Sequence, residues 1–139
     1  MRHIDLIVIH CSATRCNSDF PVEALEACHR ARGFNGIGYH YYVTKDGQLH
    51  ITRPEAVPGA HARHYNKNSI GICYEGGLDS AGKAADTRTP QQVRALRQLV
   101  ERYHAYFPDA VIVGHNDLNP GKPCPCYPAA KEYFDLQPK

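Results

Sequence analysis

Residues 4–9 read IDLIVI and run directly into His10. Branched apolar side chains follow one another there with little alternation, the pattern of a central strand covered on both faces. His10 therefore lies at a strand end, where the loops of such sheets gather and ligands bind. The arrangement recurs near the other end of the chain, where AVIVG at 110–114 reads as a further buried strand ending at His115. Together with the segments between them, these give the succession strand, helix, hairpin, strand, helix, strand, which implies a mixed central sheet flanked by helices.

The intervening segments supply the other layers. After Asp19, PVEALEACHRAR puts Val22, Leu25, Cys28 and Arg32 on one helical stripe, with Pro21 near the first turn and Gly33 as the stop. GYHYYVT at 38–44, the turn Lys45-Asp46-Gly47 and QLHIT at 48–52 read as a hairpin in which Tyr39 and Tyr41 share one face, with His40 and Tyr42 on the other. Residues 53–69 carry neither period and read as a long surface loop, and loops of this length are often functional. Ile70 to Tyr74 form another short strand, followed by a Gly-rich loop at 76–86. Thr89-Pro90-Gln91-Gln92 has the residues of an N-cap, a first-position proline and a capping glutamine, ahead of Val93, Leu96, Val100, Tyr103 and Phe107. Ala129 to Phe134 suggest a short last helix.

Composition narrows the function classes. A chain of 139 residues, 42% hydrophobic and 22% charged, suits one globular domain over residues 1–139. A formal net charge of +2 is too small to mark a nucleic-acid partner. Apolar runs such as Leu6 to Ile9, closed by Asp5 and His10, are far shorter than a bilayer span, so no membrane insertion is expected. The start MRHIDLIVIHCSA has too short an apolar centre for a secretory signal, and cytoplasmic synthesis is the expectation. Six cysteines and nine histidines are the unusual entries. Without an oxidising compartment, reduced thiols and a metal site fit them better than a disulfide framework.

His10 and His115 are joined by Cys124, nine residues beyond His115 in the loop NPGKPCPC. Two imidazoles and one thiolate suit zinc, and three protein ligands leave a fourth position for water, the mark of a catalytic site. Taken singly, each histidine is more often a hydrogen-bonded structural residue. Cys126 is an alternative to Cys124, and Cys-Pro-Cys also admits a redox pair or half of a structural site, although the usual two-residue spacing between cysteines is missing.

LIVIHCSAT at 6–14, GYHYYVTKDG at 38–47, GAHARHYNKNSIGICYEGG at 59–77 and GHNDLNPGKPCPC at 114–126 resemble the zinc-dependent N-acetylmuramoyl-L-alanine amidases, and most closely their short phage-lysozyme branch. The resemblance spans residues 6 to 126 and implies the peptidoglycan-recognition fold, with a substrate groove across a Zn2+ ion. It implies His10, His115 and Cys124 as metal ligands, Tyr39 and Lys122 as catalytic residues, and His61 as a substrate-binding residue of the groove. Cys126 matches no ligand position in the phage branch. Other branches supply a glutamate as general base where this chain has Cys73; Glu75, two residues on, shares its face by alternation. His3, His29, His50 and His104 are assigned to surface or packing roles, and His64 stands between groove lining and solvent.

The implied activity is hydrolysis of the amide between N-acetylmuramic acid and L-alanine, by a monomer that acts on bacterial peptidoglycan after release, as an endolysin does. The alternative is a recognition module that binds peptidoglycan without cutting it, but non-catalytic relatives typically lack the ligand cysteine, which is present here as Cys124. Some phage relatives also restrain a polymerase, which is a third class.

Overall fold

In the computed structural model, which describes residues 2–139, the chain runs β1 (Leu6–Cys11), β2 (Thr14–Arg15), α1 (Val22–Ala31), β3 (Tyr41–Val43), β4 (Leu49–Ile51), β5 (Ser69–Tyr74), β6 (Gly77–Leu78), α2 (Pro90–Tyr106), β7 (Val111–Gly114), α3 (His115–Leu118) and α4 (Ala129–Glu132). Five strands make a sheet in the order β4-β3-β5-β1-β7, parallel except for β4, which pairs antiparallel with β3. The expected mixed sheet with flanking helices is therefore present. No helix among the described residues is long and apolar enough to cross a membrane.

β1 has parallel partners on both sides, and its side chains from Ile7 to His10 are buried, as the unbroken apolar run predicts. The strand starts two residues later than expected and continues through His10 to Cys11, so His10 pairs with Cys73, one residue before the ladder ends. Alternation sorts its side chains. Ile7, Ile9 and Cys11 join Ile70, Ile72, Tyr74, Leu96, Val100 and Tyr103 in the larger core. The opposite face carries a smaller cluster of Leu25, Ile37, Tyr42 and Cys73 beneath α1, and Val8 and His10 belong to that side.

α2 begins as its sequence requires. Thr89 Oγ1 accepts from Gln92 N at 3.1 Å, and Gln92 Oε1 accepts from Thr89 N at 3.0 Å. Its buried stripe is Gln92, Leu96, Leu99, Val100 and Tyr103, whereas Val93 is 37% exposed. Gln92 is drawn in because its Nε2 donates to the carbonyls of Val43, at the end of β3, and Glu75, just past β5. α1 stops at Gly33, which has φ +93° as the expected stop requires. Its buried residues are Leu25 and His29; Cys28 is exposed, one helical position away from the stripe expected for it.

Three further readings need correction. β7 is an edge strand with Val111 43% exposed, and not a strand covered on both faces; its outer edge is closed by Gln137, whose amide exchanges hydrogen bonds of 2.9 and 2.7 Å with Ile112 N and O. The Gly-rich loop contains β6, which pairs with β2 as a separate two-stranded sheet, an element too short to carry a periodic signal. Tyr39 and Tyr41 do not share a face. The chain bends over 38–40 before β3 begins, with Gly38 so close to Ala60 that a Cβ there would lie 2.3 Å from its carbonyl oxygen. Tyr39 consequently packs on the α1 side with Tyr42, while Tyr41 bonds to Tyr103 on the α2 side at 2.7 Å.

Candidate metal centre

His10 projects from β1 toward α1, is 1% exposed, and is ringed by Tyr39, His61 and His115, whose ring centroids lie at 5.0, 4.9 and 4.6 Å. β7 runs parallel to β1 with Gly114 beside Ile9, so the next residue, His115, opens α3 next to His10. Asp117 fixes that turn by accepting from Gly114 N at 2.8 Å. The following loop folds back, with Asn116 N donating to Cys124 O at 2.8 Å and Cys11 N donating to Cys124 Sγ at 3.0 Å. One ligand atom from each of His10, His115 and Cys124 lies within 4.8 Å of the others. Around a tetrahedral zinc such atoms stand roughly 3.4–3.7 Å apart, so small side-chain rotations suffice to share an ion.

The electrostatics suit ligation. Burial holds the His10 imidazole well below its ordinary range, with His61 and His115 adding to the effect. His115 is lowered by burial and then by the positive charge of Lys122. Neutral imidazoles keep a lone pair for a metal at neutral pH. The group's two nitrogens and one sulfur are a donor set for a borderline-soft divalent ion.

Cys126, two residues on, points elsewhere. Its thiol donates to Gly77 O at 3.3 Å and lies 4.0 Å from Cys11 Sγ, and burial pushes it up to about 12. The ion pairs and thiols nearby add no fourth ligand: among the described residues, the group that could hold an ion consists of these three.

Tyr39 packs between His10 and His29, whose ring lies at 5.2 Å. Burial, then the neighbouring Cys73 thiol, raises its hydroxyl well above the ordinary tyrosine range, so it remains a proton donor. Lys122 is exposed on the loop just ahead of Cys124, and its charge reaches His115. His61 lies within the cluster, its Nδ1 2.8 Å from His10 Nε2. Glu75 is buried and fully engaged: Oε1 accepts from Lys45 N at 2.9 Å and Oε2 from Phe20 N at 2.7 Å. It clasps two loops through one backbone amide on each oxygen. His64 is exposed and lines a concavity with Arg63, His115 and Asn119.

Sequence reading underrated His29. It is buried, and its Nδ1 accepts from Gly38 N at 2.9 Å, anchoring the bend that aims Tyr39. The signal was its place four residues after Leu25, on the same helical face. Ser69 and Asn66, which hold His61, gave no periodic sign.

Buried neutral imidazoles make the metal-free protein acid-sensitive. Burial lowers His40 to about 4 and His61 to about 3, against about 6.5 in an unfolded chain. As pH falls below about 6.5 the unfolded state takes up protons first, so stability declines with falling pH and levels off below the folded values. At pH 5 each group costs about 2 kcal/mol. Chemical denaturation of metal-free protein is expected to show a lower midpoint at pH 5 than at pH 7; equal midpoints would contradict the burial of these rings as neutral groups.

The sequence profile of the family described as N-acetylmuramoyl-L-alanine amidase matches residues 1–127. The endolysin of Enterobacteria phage K11 is 36% identical over 129 residues, covering 93% of this chain and 80% of that protein. The endolysin of Escherichia phage T7 is 37% identical over 123 residues, covering 88% and 81%. Among solved structures, the N-acetylmuramoyl-L-alanine amidase LysC from Clostridium intestinale URNW superposes with a TM-score of 0.80 at 28% identity, over 99% of this chain and 88% of that one. Profile, phage relatives and backbone point to one family, and the chain belongs to the N-acetylmuramoyl-L-alanine amidase family.

Proposed function

We propose that this chain is a zinc-dependent peptidoglycan amidase of the phage endolysin type, which cuts the amide between N-acetylmuramic acid and the L-alanine of the stem peptide. The observation that carries the reading is the convergence of His10, His115 and Cys124 while Cys126 is turned away. Three ligands fit a catalytic ion with one position left for solvent, whereas a structural site would engage a fourth side chain. Zinc bound there supplies Lewis acidity and water ionised near neutral pH.

The chain's own residues account for the remaining needs of amide hydrolysis. Lys122 brings a fixed positive charge to the rim of the site, where negative charge develops on the substrate's carbonyl oxygen. Tyr39, held protonated, orients by hydrogen bonding and can hand a proton toward the leaving amine. His29 keeps Tyr39 in place from behind. The protein acts on the cell wall once released from the cytoplasm, in keeping with its similarity to phage endolysins.

Incubation of purified protein with peptidoglycan, followed by mass identification of the fragments, tests this directly. Free stem peptides beginning with L-alanine, alongside glycan strands that retain their lactyl groups, are the expected products. Tight binding with no fragment released would make the chain a recognition module instead.

A further inference from the structure

We infer that His61 is a positioning residue for the metal centre: its Nδ1 accepts a hydrogen bond from His10 Nε2–H and so keeps the Nδ1 lone pair of His10 for the ion, an assignment that rests on the zinc reading above.

His10 Nε2 and His61 Nδ1 are 2.8 Å apart, so one of the two carries the shared hydrogen. Suppose His61 Nδ1 carried it. The lone pair of His10 Nε2 would then be spent on His61, and the single proton of neutral His10 would occupy Nδ1. Neither nitrogen of His10 would be free for a metal. The opposite tautomer leaves Nδ1 of His10 open and puts the proton of His61 on Nε2. That proton also has a destination, because His61 Nε2 lies 3.1 Å from Ser69 Oγ. The chain Ser69–His61–His10 therefore has one tautomer pattern compatible with ligation, and Ser69 anchors its outer end.

The slot around His61 holds its ring against His10. A Cβ at Gly71 would lie 2.5 Å from His61 Cδ2, and one at Gly59 would meet the same atom at 2.5 Å. Gly71 pairs with Val8 on β1, so its missing side chain opens the sheet face beside His10. The backbone is clamped as well, with His61 N and Ala62 N both donating to Asn66 Oδ1 at 2.9 Å. Both ring nitrogens have partners within the protein.

Long-range proton–nitrogen correlation spectra of the zinc-loaded wild-type protein decide the tautomer. A proton on His10 Nε2, and one on His61 Nε2, are expected; a proton on His10 Nδ1 would overturn the assignment while leaving the zinc reading intact. Zinc affinity by chelator competition gives the second readout. His61→Ala is expected to weaken binding about 10–100-fold. His61→Asn, whose Oδ1 stands close to the place of Nδ1 and cannot donate, is expected to recover most of that loss. Wild-type affinity in His61→Ala, or an Asn variant no better than a folded Ala variant, would overturn it. Should His61→Ala fail to fold, the wild-type spectrum remains decisive. A wild-type protein that binds no zinc would sink this inference and the parent reading together.

Discussion

Cys124→Ser is expected to abolish zinc retention and, with it, release of stem peptides, lowering turnover more than about 10³-fold. Cys124 contributes the one sulfur of the three-residue group, at the point where the loop after α3 is tied to Cys11 N. A serine hydroxyl is neutral at pH 7 and a far weaker ligand for zinc than a thiolate. The informative control lies two residues away. Cys126→Ser removes a half-buried thiol that contacts Gly77 and Cys11 on the α2 side, at a cost of about 1 kcal/mol in stability. Zinc content and initial rate are expected to stay close to wild type. If Cys126→Ser lost the metal and Cys124→Ser kept it, the ligand would have to be reassigned.

Lys122→Ala is expected to reduce turnover about 10²–10³-fold with zinc content unchanged. An ammonium aimed at developing negative charge acts in the transition state, so the loss should appear in kcat more than in KM. The residue is exposed and precedes the ligand cysteine in a loop whose backbone is held by Asn119 O and Cys124 O, so truncating its side chain leaves the metal ligands in place. Initial rates on soluble muropeptides, with zinc measured on the same samples, check this. Unchanged turnover would remove Lys122 from the mechanism.

The parts of this molecule that were legible in its sequence are those set by local pattern. An unbroken apolar run needs cover on two faces, and that placed β1 inside the sheet and His10 near its end. Thr89, Pro90 and Gln92 announced the start of α2, and Gly33 the end of α1. The convergence of His10, His115 and Cys124 was readable because both histidines sit at strand ends and Cys124 follows in a short loop. Readings failed where distant contacts overrule local periodicity. Alternation put Tyr39 with Tyr41, but the Gly38 bend against Ala60 ends the strand between them. Helical spacing buried Val93 and Cys28, whereas the polar groups Gln92 and His29 are inside because strand ends and the Gly38 amide need partners. The slot for the His61 ring was not legible either, because it is emptied by Gly59 and Gly71, 12 residues apart, and by the strand pairing that sets Gly71 beside β1. Glu75 shared the right face, yet both its oxygens are taken by backbone amides of segments far away in sequence.

X-ray absorption at the zinc edge, recorded on the zinc-loaded protein, tests the metal centre most directly. One sulfur at about 2.3 Å and three lighter atoms at about 2.0–2.1 Å, with two of them showing the scattering of imidazole, is the predicted shell. Two or more sulfurs, or a third imidazole in place of solvent, would describe a closed structural ion and contradict a hydrolytic centre at His10, His115 and Cys124.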